Sequence, residues 1–128
     1  MGMHNKIMEA QKTATNYPDL VAKLVELGIL SYTVDTATGN VLYRLSGGDY
    51  VLHPGDKDRD IAHTFSYDDT VTAVKNNQQG KTDYPGFMDE IAKAGVHIYE
   101  AILTGKKRVV YIGKNGCYEE AIPTLQMS

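Results

Sequence analysis

An internal repeat constrains this chain more than any other feature. Eight of its nine tyrosines fall into four pairs: Tyr17 with Tyr84 and Tyr32 with Tyr99 at a spacing of 67, Tyr43 with Tyr111 and Tyr50 with Tyr118 at 68. The residues between them agree. Thr15-Asn16-Tyr17-Pro18 aligns with Thr82-Asp83-Tyr84-Pro85, Gly28-Ile29 with Gly95-Val96, and Val41-Leu42-Tyr43 with Val109-Val110-Tyr111. One residue inserted in a turn accounts for the change of spacing. A repeat sets the architecture before any segment is read alone, because each copy presents the same buried face.

The repeated unit reads as two helices and a three-stranded meander. Asn5–Ala14 carries a weak apolar stripe of helical period. Asn16 caps a second helix, with Pro18 in its first turn, where a missing N–H costs nothing. Leu20, Val21, Leu24 and Leu27 form its buried stripe, and Gly28 stops it in a left-handed conformation. Ile29–Asp35, Val41–Leu45 and Tyr50–His53 follow as strands, with Leu30, Tyr32 and Val34 expected on one face. In the second half, Ser66 opens a helix over Tyr67–Gln78 and Asp83 opens another. Phe87, Met88, Ile91 and Ala94 point inward, and Gly95 is the stop. Val96–Leu103, Arg108–Ile112 and Cys117–Ile122 are the strands.

A three-stranded meander with one helical layer is small to stand alone. Two copies complete one core by joining sheets edge to edge or by packing face to face. The expectation is a single antiparallel α+β domain with pseudo-two-fold symmetry. Its repeat halves are about 5–53 and 66–123, joined by a charged, solvated linker at 54–65. Residues 16–53 and 83–121 are expected to superpose.

Charge and composition exclude several classes. A net charge of −3, with no basic cluster beyond Lys106-Lys107-Arg108, gives no nucleic-acid footprint. No apolar run is long enough to span a bilayer. Met1–Lys12 lacks the apolar core of a signal peptide, and the lone Cys117 forms no internal disulfide, so the expected compartment is the cytoplasm.

The second half carries a family string: Gln79-Gly80-Lys81-Thr82-Asp83-Tyr84-Pro85-Gly86-Phe87, then Ala94-Gly95-Val96, Tyr99, Tyr111-Ile112-Gly113 and Glu120-Ala121-Ile122-Pro123. In this set the chain resembles the YdfO-like family of small bacterial and prophage proteins, also labelled phage envelope protein-like. The likeness runs from about Ala10 to Pro123. It implies a fold and a phage-linked setting and carries no mechanism. One departure follows Tyr99. Where the family pattern has Val-Asp, as at Val34-Asp35, this half has Glu100-Ala101-Ile102.

Three constellations bear on chemistry. His53–His63 holds two histidines and alternating Asp56, Asp58 and Asp60. A calcium loop would need glycine at Ile61 and a closing carboxylate at Tyr67, so solvated charge is the expectation and no metal. Cys117 and His97 could pair as nucleophile and base, but no orienting group stands at a readable spacing. Tyr32, Tyr43, Tyr99 and Tyr111 lie in strands. They serve packing, or they line an open groove where the halves meet, with His97 beside them. If the Tyr32 and Tyr99 hydroxyls are both buried and hydrogen-bonded inside the core, these tyrosines are structural and the groove reading fails. Tyr17 and Tyr84 are expected to be packing staples. The preferred reading is a non-enzymatic binding or regulatory module without cofactor. It acts on a protein or small-molecule partner, with a homodimer as one arrangement. The alternative is a small enzyme using His97 and Cys117 or a metal at His53–His63.

Overall fold

The computed structural model describes residues 2–123. Four helices and six strands run in the order α1 (Met3–Thr13), α2 (Tyr17–Glu26), β1 (Ile29–Asp35), β2 (Val41–Leu45), β3 (Tyr50–His53), α3 (Tyr67–Gln78), α4 (Tyr84–Lys93), β4 (Val96–Ile102), β5 (Arg108–Gly113) and β6 (Gly116–Ala121). The fold is α+β, and the order helix, helix, three strands occurs twice. No helix among the described residues is long and apolar enough to cross a membrane.

Local chemistry places the helix ends. The Asn16 side chain accepts from the Asp19 N–H at 2.8 Å, Asp83 from Gly86 at 2.9 Å, and Ser66 from Asp69 at 3.1 Å. Each bond satisfies an N–H that the first helical turn leaves free. At the other end, Gly28 and Gly95 sit at φ 87° and 85°, where a side chain would crowd the backbone.

The strands form one antiparallel sheet in the order β3-β2-β1-β4-β5-β6. The two meanders therefore join edge to edge. β1 and β4 pair through Ser31↔Ile102, Tyr32↔Ala101, Thr33↔Glu100, Val34↔Tyr99 and Asp35↔Ile98. This junction saturates the inner edge of each meander and, among the described residues, leaves β3 and β6 as the edges. α1 packs on β3, α3 on β6, α2 on β1 and α4 on β4, so the helices share one face of the sheet. Met88, Ile91 and Val96 are fully buried there.

The expected face of β1 is corrected by a bulge. Ile29, Tyr32 and Val34 point inward, while Leu30 is 40% exposed. An odd spacing between two inward residues demands one extra residue in the strand. The register slips between Ile29 and Ser31, and again between Val96 and Ile98 in β4.

The segment 54–65 is also corrected, since it is fastened rather than solvated. The Arg59 side chain is 5% exposed, and its Nε donates to Asp89 on α4 at 2.8 Å. The Arg59 N–H donates to the Ala37 carbonyl at 2.7 Å and the Ala62 N–H to Ala92 at 3.0 Å. Phe65 packs over Gly113 and Gly116. The alternating charges of this stretch concealed a single inward-facing arginine.

The two stop glycines are not equivalent. A Cβ at Gly28 would meet only the Ser46 hydroxyl at 3.4 Å, whereas at Gly95 it would lie 2.4 Å from the Thr64 carbonyl oxygen and 2.8 Å from the Phe65 Cα. Gly28→Ala should cost about 1–2 kcal/mol through backbone strain alone. Gly95→Ala adds a backbone clash and should cost clearly more, about 3 kcal/mol or above. Urea unfolding of both variants checks the ranking, and equal losses would show that the 64–65 backbone yields.

Candidate functional site

Register brings the strand tyrosines together. Tyr32 lies opposite Tyr43, with ring centroids 5.4 Å apart, and Tyr99 opposite Tyr111, at 5.3 Å. The β1–β4 junction sets these two pairs side by side on the covered face. Tyr17 and Tyr84, the first residues of α2 and α4, reach down from the helical layer. The Tyr17 and Tyr32 hydroxyls are 2.6 Å apart, and those of Tyr84 and Tyr99 are 3.3 Å apart. Gln11 on α1 donates to the Tyr43 hydroxyl at 2.6 Å. All six tyrosines line a cavity of about 1160 Å³ between the helices and the sheet.

Burial makes these phenols weak acids. Tyr17 is pushed up to about 12 from 10.0, first by burial, with its bond to Tyr32 pulling the other way. Tyr32 and Tyr99 are raised well above 10.0, again first by burial. Tyr43, Tyr84 and Tyr111 move in the same direction for the same first cause. Tyr17 and Tyr84 leave 37% and 51% of their surface in solvent, yet turn their hydroxyls inward. Near neutral pH all six hydroxyls keep their protons. They can donate and accept hydrogen bonds, but none is poised as a base or a phenolate nucleophile.

The cavity's two ends differ. On the side of the first half, the His53 ring lies 4.0 Å from that of His4 and 5.1 Å from that of Tyr43, and its buried Nε2 has no hydrogen-bond partner. Burial, then the neighbouring His4, lowers its pKa. On the side of the second half, Glu120 accepts from Tyr118 and from Gln78, the latter at 3.3 Å.

The pattern of one protein family covers residues 5–119, both helix pairs and the tyrosine cluster included. The chain belongs to the DUF1398 family. Its description is that of a protein of unknown function, so membership supplies no chemistry. No curated protein matches the DUF1398 chain.

The expected site residues are partly united. Tyr32, Tyr43, Tyr99 and Tyr111 share the cavity, but not as an open groove. Tyr32 and Tyr99 are only 7% and 6% exposed, and their hydroxyls are bonded within the core, so they hold the structure as well as line the space. His97 is exposed on the β4 bulge and does not line the cavity. Cys117 is exposed on β6, and β5 lies between it and His97, a separation of about 10 Å across two strand spacings. That pair is no nucleophile and base. His53 reaches the cavity while His63 is exposed, and among the described residues no three His, Cys, Asp or Glu side chains gather to hold a metal. Asp35, which has no second-half counterpart, accepts from Thr38 at 2.6 Å and shapes a turn. Tyr17, Tyr84, Gln11 and Glu120 are additions to the expected site. The repeated Tyr-Pro dipeptide was a signal for the first two.

Alkaline pH should unfold this DUF1398 protein from the site outward. A phenol raised in the folded state stabilises fully below its unfolded value of 10.0 and loses that contribution as pH climbs through the folded value, about 12 for Tyr17. Stability to urea should hold constant up to about pH 10 and then fall steeply. The tyrosinate absorbance of the six cavity tyrosines should develop with the loss of structure rather than before it.

Proposed function

We propose that this DUF1398 protein is a non-enzymatic binding module that holds a small organic molecule in the tyrosine-lined cavity. The observation that carries the reading is the convergence of six neutral phenols on about 1160 Å³ of space. Partly open to solvent and lined by aromatic rings with a few convergent polar groups, that space has the form of a small-molecule site. The hydroxyl pairs offer oriented donors and acceptors, and the rings offer rigid apolar area.

The same reading takes the whole chain as one domain whose halves are copies related by a pseudo-two-fold axis. Its support is the register at the junction. Thr33 pairs with Glu100, its own counterpart at a spacing of 67, as expected if a two-fold axis passed between them with Tyr32 and Tyr99 on either side. The YdfO-like string at Gln79–Phe87 supports a prophage-associated setting, and a cytoplasmic location is part of the same reading. The exposed edges β3 and β6 leave room for a homodimer.

A ligand-observed NMR screen of small aromatic molecules tests the function. Hits should shift resonances of the cavity tyrosines and compete with one another. The paired change Tyr32→Phe and Tyr99→Phe removes two hydroxyls, each worth about 1 kcal/mol of stability, and should leave the fold intact while weakening the hits about fivefold or more. Hits that map to the open face of the sheet, or that bind the double variant as tightly, would remove the proposal.

A further inference from the structure

Resting on that reading, we propose that the ligand is an organic cation, an amine or quaternary ammonium group on a flat or apolar body, with Glu120 as the counter-charge. Charge decides this. No Lys or Arg is among the residues that line the cavity, while Asp56 and Glu120 both are. Asp56 is already answered by Arg59, 3.7 Å away. Glu120 has no cationic partner among the described residues. Its hydrogen bonds come from a phenol and an amide, and both leave the negative charge in place. That charge reaches into the site at Tyr111, as the positive charge of Arg59, already matched by Asp56 and Asp89, reaches it at Tyr84. His53, lowered by burial, adds no positive charge near neutral pH.

The aromatic walls favour the same ligand. The rings of Tyr and Phe attract cations over their faces, most strongly where water is excluded. Phenol oxygens accept from ammonium N–H groups, and a neutral phenol repels nothing. One feature pulls the other way. The N-termini of α2 and α4 flank the cavity, and a helix N-terminus favours an anion. Here that attraction is reduced. Pro18 and Pro85 have no N–H. The next N–H groups are held by Asn16 and Asp83, and Leu20 and Phe87 donate to the carbonyls of the same two residues. The carboxylates Asp19 and Asp83 further offset the two helix ends.

Three probes of one size separate the outcomes: benzylamine, benzyl alcohol and benzoate, titrated near neutral pH into the full chain and followed by two-dimensional NMR. Benzylamine should bind about tenfold or more tightly than the alcohol, shifting the cavity tyrosines, and benzoate should not bind. Salt should weaken benzylamine only. Glu120→Gln should lower benzylamine affinity to that of the alcohol and leave the alcohol unchanged. Glu119→Gln, on the neighbouring exposed carboxylate, should change neither. If benzyl alcohol or benzoate binds as well as benzylamine, the cation assignment is wrong and the small-molecule cavity stands. If none of the three shifts a cavity tyrosine at millimolar concentration, both readings fall. The comparison of probes on the unaltered protein keeps its force even if Glu120→Gln fails to fold.

Discussion

Everything distinctive in this structure depends on the antiparallel ladder between β1 and β4. Without it, each half is a three-stranded meander with a bare inner edge, and an unpaired edge is an invitation to another strand. With it, those inner edges meet each other. The ladder also decides what lies at the centre. Because Val34 faces Tyr99 and Tyr32 faces Ala101, the two tyrosines sit diagonally across the junction, each beside a small or branched neighbour. A one-residue slip would put the two tyrosines on opposite faces of the sheet and take one of the central hydroxyls out of the site.

The bulges at Leu30 and His97 serve the same end. A helix must stop at Gly28 and Gly95, and the next residue, Ile29 or Val96, is buried at once against it. Three residues later a tyrosine must face the same way. Regular pleating cannot satisfy both, so one residue is extruded in each strand. His97 is that extruded residue, which explains why a histidine so near Tyr99 takes no part in the cavity. Its position follows from backbone geometry.

Local structure was legible because its causes are local. The caps at Asn16, Ser66 and Asp83 and the glycine stops lie within a turn of the ends they fix, and the helices and strands fall within about two residues of their expected bounds. The tyrosine repeat marked the site's strand residues for the same reason. What periodicity could not give was the partner of each group. Nothing in Asp56-Lys57-Asp58-Arg59-Asp60 says that Arg59 alone turns inward, because its reason is Asp89, thirty residues away. Tyr17 and Tyr84 look like staples until the junction brings Tyr32 and Tyr99 beneath them. Which edges pair is likewise a non-local outcome, open in the sequence and settled by the ladder.

The repeat explains the frame of the site, and the differences between the halves explain its polarity. On the proposed duplication, Tyr17, Tyr32 and Tyr43 correspond to Tyr84, Tyr99 and Tyr111, and Gln11 to Gln78. A cavity built only from these would look the same from both ends. The chain breaks the equivalence at the rim. Gln11 bonds the Tyr43 hydroxyl, but Gln78 turns to Glu120 instead, and Glu120 is bonded by Tyr118, whose counterpart Tyr50 is 70% exposed. His53 stands at the opposite end beside His4. One end is thus a neutral imidazole and amide, the other a carboxylate held by a phenol. A symmetric site would bind a ligand in two orientations alike. A charge fixed at one end favours the orientation that brings opposite charge to it, by an amount that grows as water is excluded. On the proposed duplication and the proposed ligand, selectivity would come from the few positions where the halves differ.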